Sequence, residues 1–256
     1  MLKKILRTAV SGYLFPFRLN ERLFHYAKSA YFTSTAEHLF RATAHIKARG
    51  GPRDGEIIID IGGADGSTTR YFAGEFQRAR VFCFEPNTRM LPALAALEAS
   101  NERVTVKRLA LGSTRGESVL HVTANNLSSS LNEPDAEELS HTPPEYRDHF
   151  RLEAETRVEV STLDDEFEGH PRVLLIKMDT QGTELDILKG GPRTLEKTRF
   201  VLAEMNNHHL YKNTCQYYEV DDFLRGAGFK LADIVVTFRG DEGVTEYDAL
   251  YENTQT

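Results

Sequence analysis

The chain has 256 residues, 40% of them hydrophobic, with 31 Lys/Arg against 38 Asp/Glu and a net charge of −7. That is room for one α/β domain with extensions, or at most two small domains, around a real core. No run approaches the length of a membrane span and no apolar leader with a small-residue cleavage site is visible, so a cytoplasmic protein is expected.

Two cysteines are present. Cys83 falls inside a buried strand pattern and Cys215 in a polar stretch, which argues against disulfides or a cysteine zinc site. The charge is unevenly spread. Residues 1–53 hold ten Lys/Arg and two acids, net +8, which leaves 21 bases and 36 acids, net −15, for residues 54–256. The expected division is a basic helical N-terminal arm (1–53) and an acidic body (54–256) carrying an insertion at 132–156. A basic arm offers peripheral contact with a membrane surface, an anionic substrate or a partner, or is simply solvated. The body shows no basic stripe with interleaved aromatics, so nucleic acid is not an expected partner. The oligomeric state is not legible.

Within the arm, Leu2, Ile5, Leu6, Val10, Leu14 and Phe17 follow three- and four-residue spacing that Gly12 and Pro16 interrupt, predicting two short helices. Residues 33–49 read as one amphipathic helix, with Thr33 or Ser34 as its cap and Gly50-Gly51-Pro52 as its end. Residues 57–66, IIIDIGGADG, are a strand buried on both faces running into a glycine turn. Ser67, Thr68 and Thr69 then offer a helix cap. Residues 81–86, VFCFEP, form a second strand ending in Glu85, whose carboxylate can accept both hydroxyls of a ribose. Strand, glycine turn, helix, strand and acid make the nucleoside-binding half of a doubly wound α/β domain.

Further on, 88–100 reads as a helix, 104–109 as a strand and 117–122 as a short added strand. NNLSSSL (125–131) is a polar loop, and the acidic, proline-containing 132–156 segment reads as a lid or a mobile loop. Strands are predicted at 158–163, 173–178 and 200–203, helices at 183–189 and 219–227, and a terminal antiparallel hairpin over 229–238 and 246–252.

Ligands of an open α/β sheet bind beyond the carboxyl ends of its strands. Asp60, Glu85, Asp179 and Glu204 stand at or just past four such ends. Carboxylates converging there repel one another unless they meet hydroxyls, an ammonium, a sulfonium or a metal. S-adenosylmethionine supplies the first three. A nicotinamide dinucleotide would want a G-x-G-x-x-G turn, and the chain instead has Gly62-Gly63-Ala64-Asp65-Gly66. The expected cofactor is therefore S-adenosylmethionine, with S-adenosylhomocysteine as product.

Several ordered blocks then bring a family into view: IIIDIGGADGSTTRYF (57–72), VFCFEPNTRMLPAL (81–94), VKRLALGSTRGESVLHV (106–122), NLSSSL (126–131), VSTLDDEF (160–167), VLLIKMDTQGTELDILKGG (173–191) and, more loosely, VLAEMNNHHLY (201–211). Over roughly residues 55–252 the sequence resembles the FkbM-type methyltransferases. It carries Gly63-Ala64 where that family often has Ala-Asn. The resemblance implies a Rossmann-like class I methyltransferase fold, with a seven-stranded, mostly parallel sheet and a C-terminal antiparallel hairpin. It also implies methyl transfer to a hydroxyl of a sugar, polyketide or similar metabolite. By matching position, Gly62 and Gly66 would line the methionine part of the cofactor and Glu85 would hold the ribose. Residues 108–111, including Ala110 and Leu111, would border the adenine, and Asp179 would lie by the reacting centre. Asp60, Gly63 and Pro86 complete the candidate cofactor set.

An acceptor hydroxyl needs a base within hydrogen-bond reach. His208 and His209 are the first candidates because imidazole titrates near neutrality, with Asp179 and Glu204 as alternatives. Ser128, Ser129, Ser130, Asn206 and Tyr211 are candidate acceptor contacts. Asp179 with Glu184 is a metal pair to consider, but Glu184 can equally serve its own helix start, so no metal site is assigned. Two other readings stay open: a nicotinamide-dependent sugar-modifying oxidoreductase, which would lack the usual Tyr-x-x-x-Lys pair, and a non-catalytic binding module on the same fold.

Overall fold

The computed structural model describes residues 37–142, 144–207, 209–240 and 243–256. The predicted short helices of the arm, the Thr33 or Ser34 cap and His208 lie outside the described residues.

Helix α1 (Glu37–Ala48) turns Leu39, Ala42, Thr43 and Ile46 inward at three- and four-residue spacing. Although the sequence places this stretch in the arm, Leu39, Ala42 and Ile46 join the core of the body. Arg41 Nε donates to Asp233 at 2.8 Å, and Arg49 pairs with Glu252 at 3.2 Å. Behind α1, the buried Arg199 pairs with Glu56 at 3.0 Å and donates to the Gly51 and Arg49 carbonyls.

Strands β1 (Ile57–Ile61), β2 (Arg80–Phe84), β3 (Val104–Lys107), β7 (Val173–Met178), β8 (Thr198–Asn206), β9 (Phe229–Gly240) and β10 (Gly243–Asn253) form a seven-stranded sheet in the order β3-β2-β1-β7-β8-β10-β9. The pairings from β3 through β8 are parallel, and β10 runs antiparallel to both β8 and β9. The apolar runs of β1 and β7, broken only by Asp60 and Lys177, follow from burial on both faces: every residue of each is buried. Chain order reverses between β1 and β7, which opens the ligand crevice of such sheets at their carboxyl ends.

One face packs Ile58, Leu202 and Leu250 against α1 and α2 (Ser67–Glu75), with Phe72 and Phe76 filling the layer. The other packs Ile59, Ile61, Ile176 and Met178 with Phe167, Ile187, Leu195, Val220 and Leu224. Those residues come from α6 (Leu163–Phe167), α7 (Glu184–Lys189), α8 (Pro192–Glu196) and α9 (Tyr217–Gly226).

Several predicted elements shift. The helix after β2, α3, spans Leu91–Ser100, because the Asn87 side chain first accepts the Arg89 N–H and closes a turn. The expected strand 104–109 divides into β3 and β4 (Ala110–Leu111). With β5 (Gly116–Thr123) and β6 (Leu152–Ser161), β4 makes a second, three-stranded sheet that the sequence did not reveal. Residues 152–156, read as loop, are the first half of β6. The rest of the insertion holds α4 (Ala136–Ser140) and α5 (Pro144–Arg147), anchored on a small core of Leu139, Phe150 and Tyr211. Among the described residues no helix is long and apolar enough to cross a membrane.

Candidate active site

The turn after β1 is shaped by close packing. Gly62 has φ +76, and a Cβ there would lie 1.9 Å from the Asp179 carbonyl oxygen, so only glycine lets the β1 and β7 ends meet. Gly66, at φ +80, caps α2 against Leu94 and Leu97, and a Cβ on Gly63 would strike the Cys83 sulfur. These glycines are required by protein neighbours. The expected Ser/Thr cap of α2 is absent: Gly66 is the N-cap, and Asp65 Oδ1 accepts the Ser67 N–H at 2.9 Å.

Glu85 closes the same turn from β2. One carboxylate oxygen accepts the Ala64 N–H at 2.8 Å and the other the Asn87 N–H at 2.7 Å. Burial outweighs these bonds and raises its pKa above the ordinary carboxylate range. Each oxygen keeps a lone pair for a further donor. Pro86 follows, half-buried, while the Ala110 and Leu111 side chains are buried in the hydrophobic core.

Asp60 is fully buried beneath the turn. Thr69 Oγ1 donates to Oδ2 at 2.5 Å, Lys177 Nζ lies 3.7 Å from Oδ1, and Oδ1 makes no hydrogen bond. Burial raises its pKa despite Lys177. Lys177 also reaches Asp179 Oδ2 at 3.3 Å. Burial pushes the Lys177 ammonium down, but Asp179, Asp60 and Asp248 outweigh it and hold it charged. Reciprocally, burial disfavours ionised Asp179, but Lys177, the Gln181 amide and His38 together more than compensate, leaving its pKa below the usual value. Its side chain is 39% exposed, against 0% for Asp60.

Glu204, at the end of β8, is buried and faces Asp248 across the β8–β10 pair. Its pKa is raised well above the carboxylate range, first by burial, then by Asp179, Glu246 and Glu184. Asp179 and Glu204 are joined by a residue that sequence reasoning missed. Gln181 Nε2 donates to Asp179 Oδ1 at 3.1 Å and to Glu204 Oε2 at 2.9 Å. Asn206 Nδ2 reaches the same Glu204 oxygen at 3.5 Å. Tyr211, 4% exposed, donates to the Ser128 carbonyl at 2.7 Å and to Gln181 Oε1 at 3.1 Å.

The serine block is a fixed wall. Ser130 Oγ donates to the Gln181 carbonyl at 2.9 Å, Ser129 Oγ lies 3.5 Å from Asn87 Nδ2, and Ser128 is buried. It thus ties the Glu85 turn to the Asp179 turn. Tyr146 of the insertion stacks on Phe238 at 5.5 Å, and burial, Glu246 and Glu204 push its hydroxyl up to about 12. His209 stands apart: it is exposed, its Nδ1 3.3 Å from the Gln216 amide. Glu184 is committed to the N–H groups of Thr180 and Gly182, and among the described residues no His/Cys/Asp/Glu trio could hold a metal. Two of the missed residues left signals in the sequence. Lys177 interrupts a wholly apolar strand, which demands buried partners, and Gln181 lies between an acid and a glycine at a strand end.

The chain is similar to known methyltransferases. The Methyltransferase FkbM domain matches residues 60–231. The chain is 32% identical over 209 residues, 78% of its own length and 80% of the relative's, to the 2-O-methyltransferase NoeI of Sinorhizobium fredii (strain NBRC 101917 / NGR234). Similar solved structures include magnesium protoporphyrin IX methyltransferase (ChlM) from Synechocystis PCC 6803 with bound S-adenosylmethionine (10% identity, TM-score 0.48, 98% of this chain and 91% of that one). Another is the fibrillarin pre-rRNA processing protein of Methanococcus jannaschii (14%, TM-score 0.46, 80% and 68%). The family match removes the nicotinamide-dependent and non-catalytic readings that the sequence left open. The chain belongs to the FkbM methyltransferase family and is an S-adenosylmethionine-dependent enzyme.

Proposed function

We propose that this enzyme methylates a hydroxyl oxygen of a sugar, glycan or hydroxylated small molecule, with Asp179 as the base. The observation that carries the reading is the 32% identity, over 209 residues, to a protein named as a 2-O-methyltransferase.

The residues present suit the cofactor. Glu85 keeps acceptor capacity for a ribose diol, and the ionised, 39% exposed Asp179 carboxylate beside the Gly62 turn suits a cationic ligand. Bound S-adenosylmethionine supplies a methyl group on an electrophilic sulfonium. The protein orients a nucleophile and takes its proton. Among the candidate bases, Asp179 combines negative charge with access, since Lys177 holds it ionised and its side chain is 39% exposed. Burial keeps Glu204 protonated well above the usual range, and His209 points to Gln216. Residues 133–150, with Tyr146 over the Glu204 side of the site, shape acceptor choice.

Because α1 packs on the body with Arg41, Lys47 and Arg49 paired to acids, the membrane contact proposed for the basic arm 1–53 falls to residues 1–36, six bases against one acid, to be checked by co-sedimentation with anionic vesicles. The main test is methyl transfer from isotope-labelled S-adenosylmethionine to glycosides that differ in which hydroxyl is free. The label is expected in an alkali-stable ether, and transfer only to amines or carboxylates overturns the reading.

A further inference from the structure

Gln181 has φ +59, a left-handed backbone that residues other than glycine seldom adopt. Its neighbours over-determine that conformation: Ser130 Oγ donates to its carbonyl at 2.9 Å, and Asn132 Nδ2 donates to the Gly182 carbonyl at 3.1 Å. The side chain is held at both ends. Tyr211 donates to Oε1, while Nε2 donates to both Asp179 and Glu204. With Asp179 held ionised, a flipped amide would turn its oxygen toward a carboxylate and lose that bond, so the NH2 faces the acids. Backbone strain kept by such a network marks a group whose position matters.

We propose that Gln181 is a positioning residue for methyl transfer, its amide holding the Asp179 and Glu204 carboxyl groups at one nitrogen beside the cofactor turn. The proposal rests on the placement of Asp179 at the reacting centre. Asp179 abuts Gly62 and its N–H donates to the Ile61 carbonyl, so a displaced Asp179 disturbs the turn where the cofactor binds.

The test is calorimetric titration of the full chain with S-adenosylhomocysteine, comparing wild type with Gln181→Glu at about pH 6 and about pH 8.5. The variant keeps size and shape. Facing the new carboxyl are Asp179 with Lys177 behind it on β7, and Glu204 on β8. Glu246 and Asp248 come from β10, Glu184 from α7, and Tyr146 and Tyr211 from the flanking segments. His38 of α1 pairs with Asp248 at 3.3 Å and acts on Asp179, a contribution common to wild type and variant. Acidic groups dominate that set, so the new carboxyl titrates above the ordinary carboxylate range.

Ionised, it offers no donor, and affinity at the higher pH is expected to fall roughly 10- to 100-fold relative to wild type. Protonated, it regains an O–H donor, and affinity at the lower pH should return to within about threefold. A purely structural role gives the same ratio at both pH values, and that result overturns the proposal, as does unchanged binding throughout. Should Gln181→Glu fail to fold, Tyr211→Phe removes the hydroxyl that meets both the Gln181 amide oxygen and the Ser128 carbonyl, and leaves the acids on the amide nitrogen untouched. It should weaken binding roughly threefold, and no change there is equally fatal. Failure of wild type to bind would instead remove the placement of the donor site, and the proposal with it.

Discussion

The two carboxylate turns of this enzyme are built differently. At Glu85 the partners are main-chain N–H groups, those of Ala64 and Asn87, presented by a turn whose glycines pack against neighbouring strands. At Asp179 and Glu204 the partners are side chains: Gln181, Lys177 and Asn206, with Tyr211 and the serine wall behind them. Backbone donors survive changes of side chain so long as the turn survives, which suits a cofactor shared across a family. Side-chain donors can be exchanged one at a time, which suits the acceptor side, where chemistry must vary. The two sides still touch. Gly62 lies against the Asp179 carbonyl, and the serine wall spans from Asn87 to Gln181.

The largest expected effect falls on the side-chain half. Asp179→Asn should lower kcat/KM by roughly 10²- to 10⁴-fold while the protein remains folded, measured with any acceptor that accepts label. A loss under about tenfold would move the base elsewhere. Next, on the backbone half, Gly62→Ala sets a methyl group 1.9 Å from the Asp179 oxygen in a backbone of φ +76. It should destabilise by about 3 kcal/mol or more in denaturant unfolding, and a near-neutral result would show that the two turns move independently. Glu85→Gln replaces an acceptor pair with one acceptor and one NH2 facing two N–H donors. S-adenosylhomocysteine affinity should drop roughly 10- to 100-fold by calorimetry.

Smaller effects sharpen the contrast in charge. Burial, then Asp179, raises the pKa of Glu204 in the folded state, so the native protein binds a proton that the unfolded chain releases. Stability from this group is full below the ordinary carboxylate pKa and declines as pH rises through the raised one. Glu204→Gln should flatten that decline, giving a melting temperature roughly 2–4 °C above wild type at alkaline pH and no gain near pH 4. The smallest change is Ala64→Gly. Ala64 sits at φ +46, and the left-handed strain it relieves slightly exceeds the entropy glycine loses, for a gain of about 0.5 kcal/mol.

Much of the donor half was legible from sequence. A strand of buried apolar residues must be followed by a turn, and glycines 62 and 66 with Glu85 follow from local spacing alone. A sharp turn with positive φ was legible as a reason for the glycines, but not the neighbours that need them: Asp179, Cys83, Leu94 and Leu97 fill the space a Cβ would need. Those neighbours lie between 20 and about 120 residues away, and no local pattern announces them. The serines were legible as a block but not as a wall, because their partners at Asn87 and Gln181 come from other strand ends.

The sequence by itself determined the strands of the main sheet, the order of the acids at their ends, the nucleoside-type cofactor and the family. Each rests on period, turn chemistry or motif, which are properties of short stretches. Only the tertiary structure decided which acid has its pKa lowered and which has it raised. Asp179 and Glu204 read alike in the chain. Lys177 lies beside one, while burial among other carboxylates surrounds the second. A pKa depends on distance and solvent access, and both arise when β7, β8 and β10 are laid side by side.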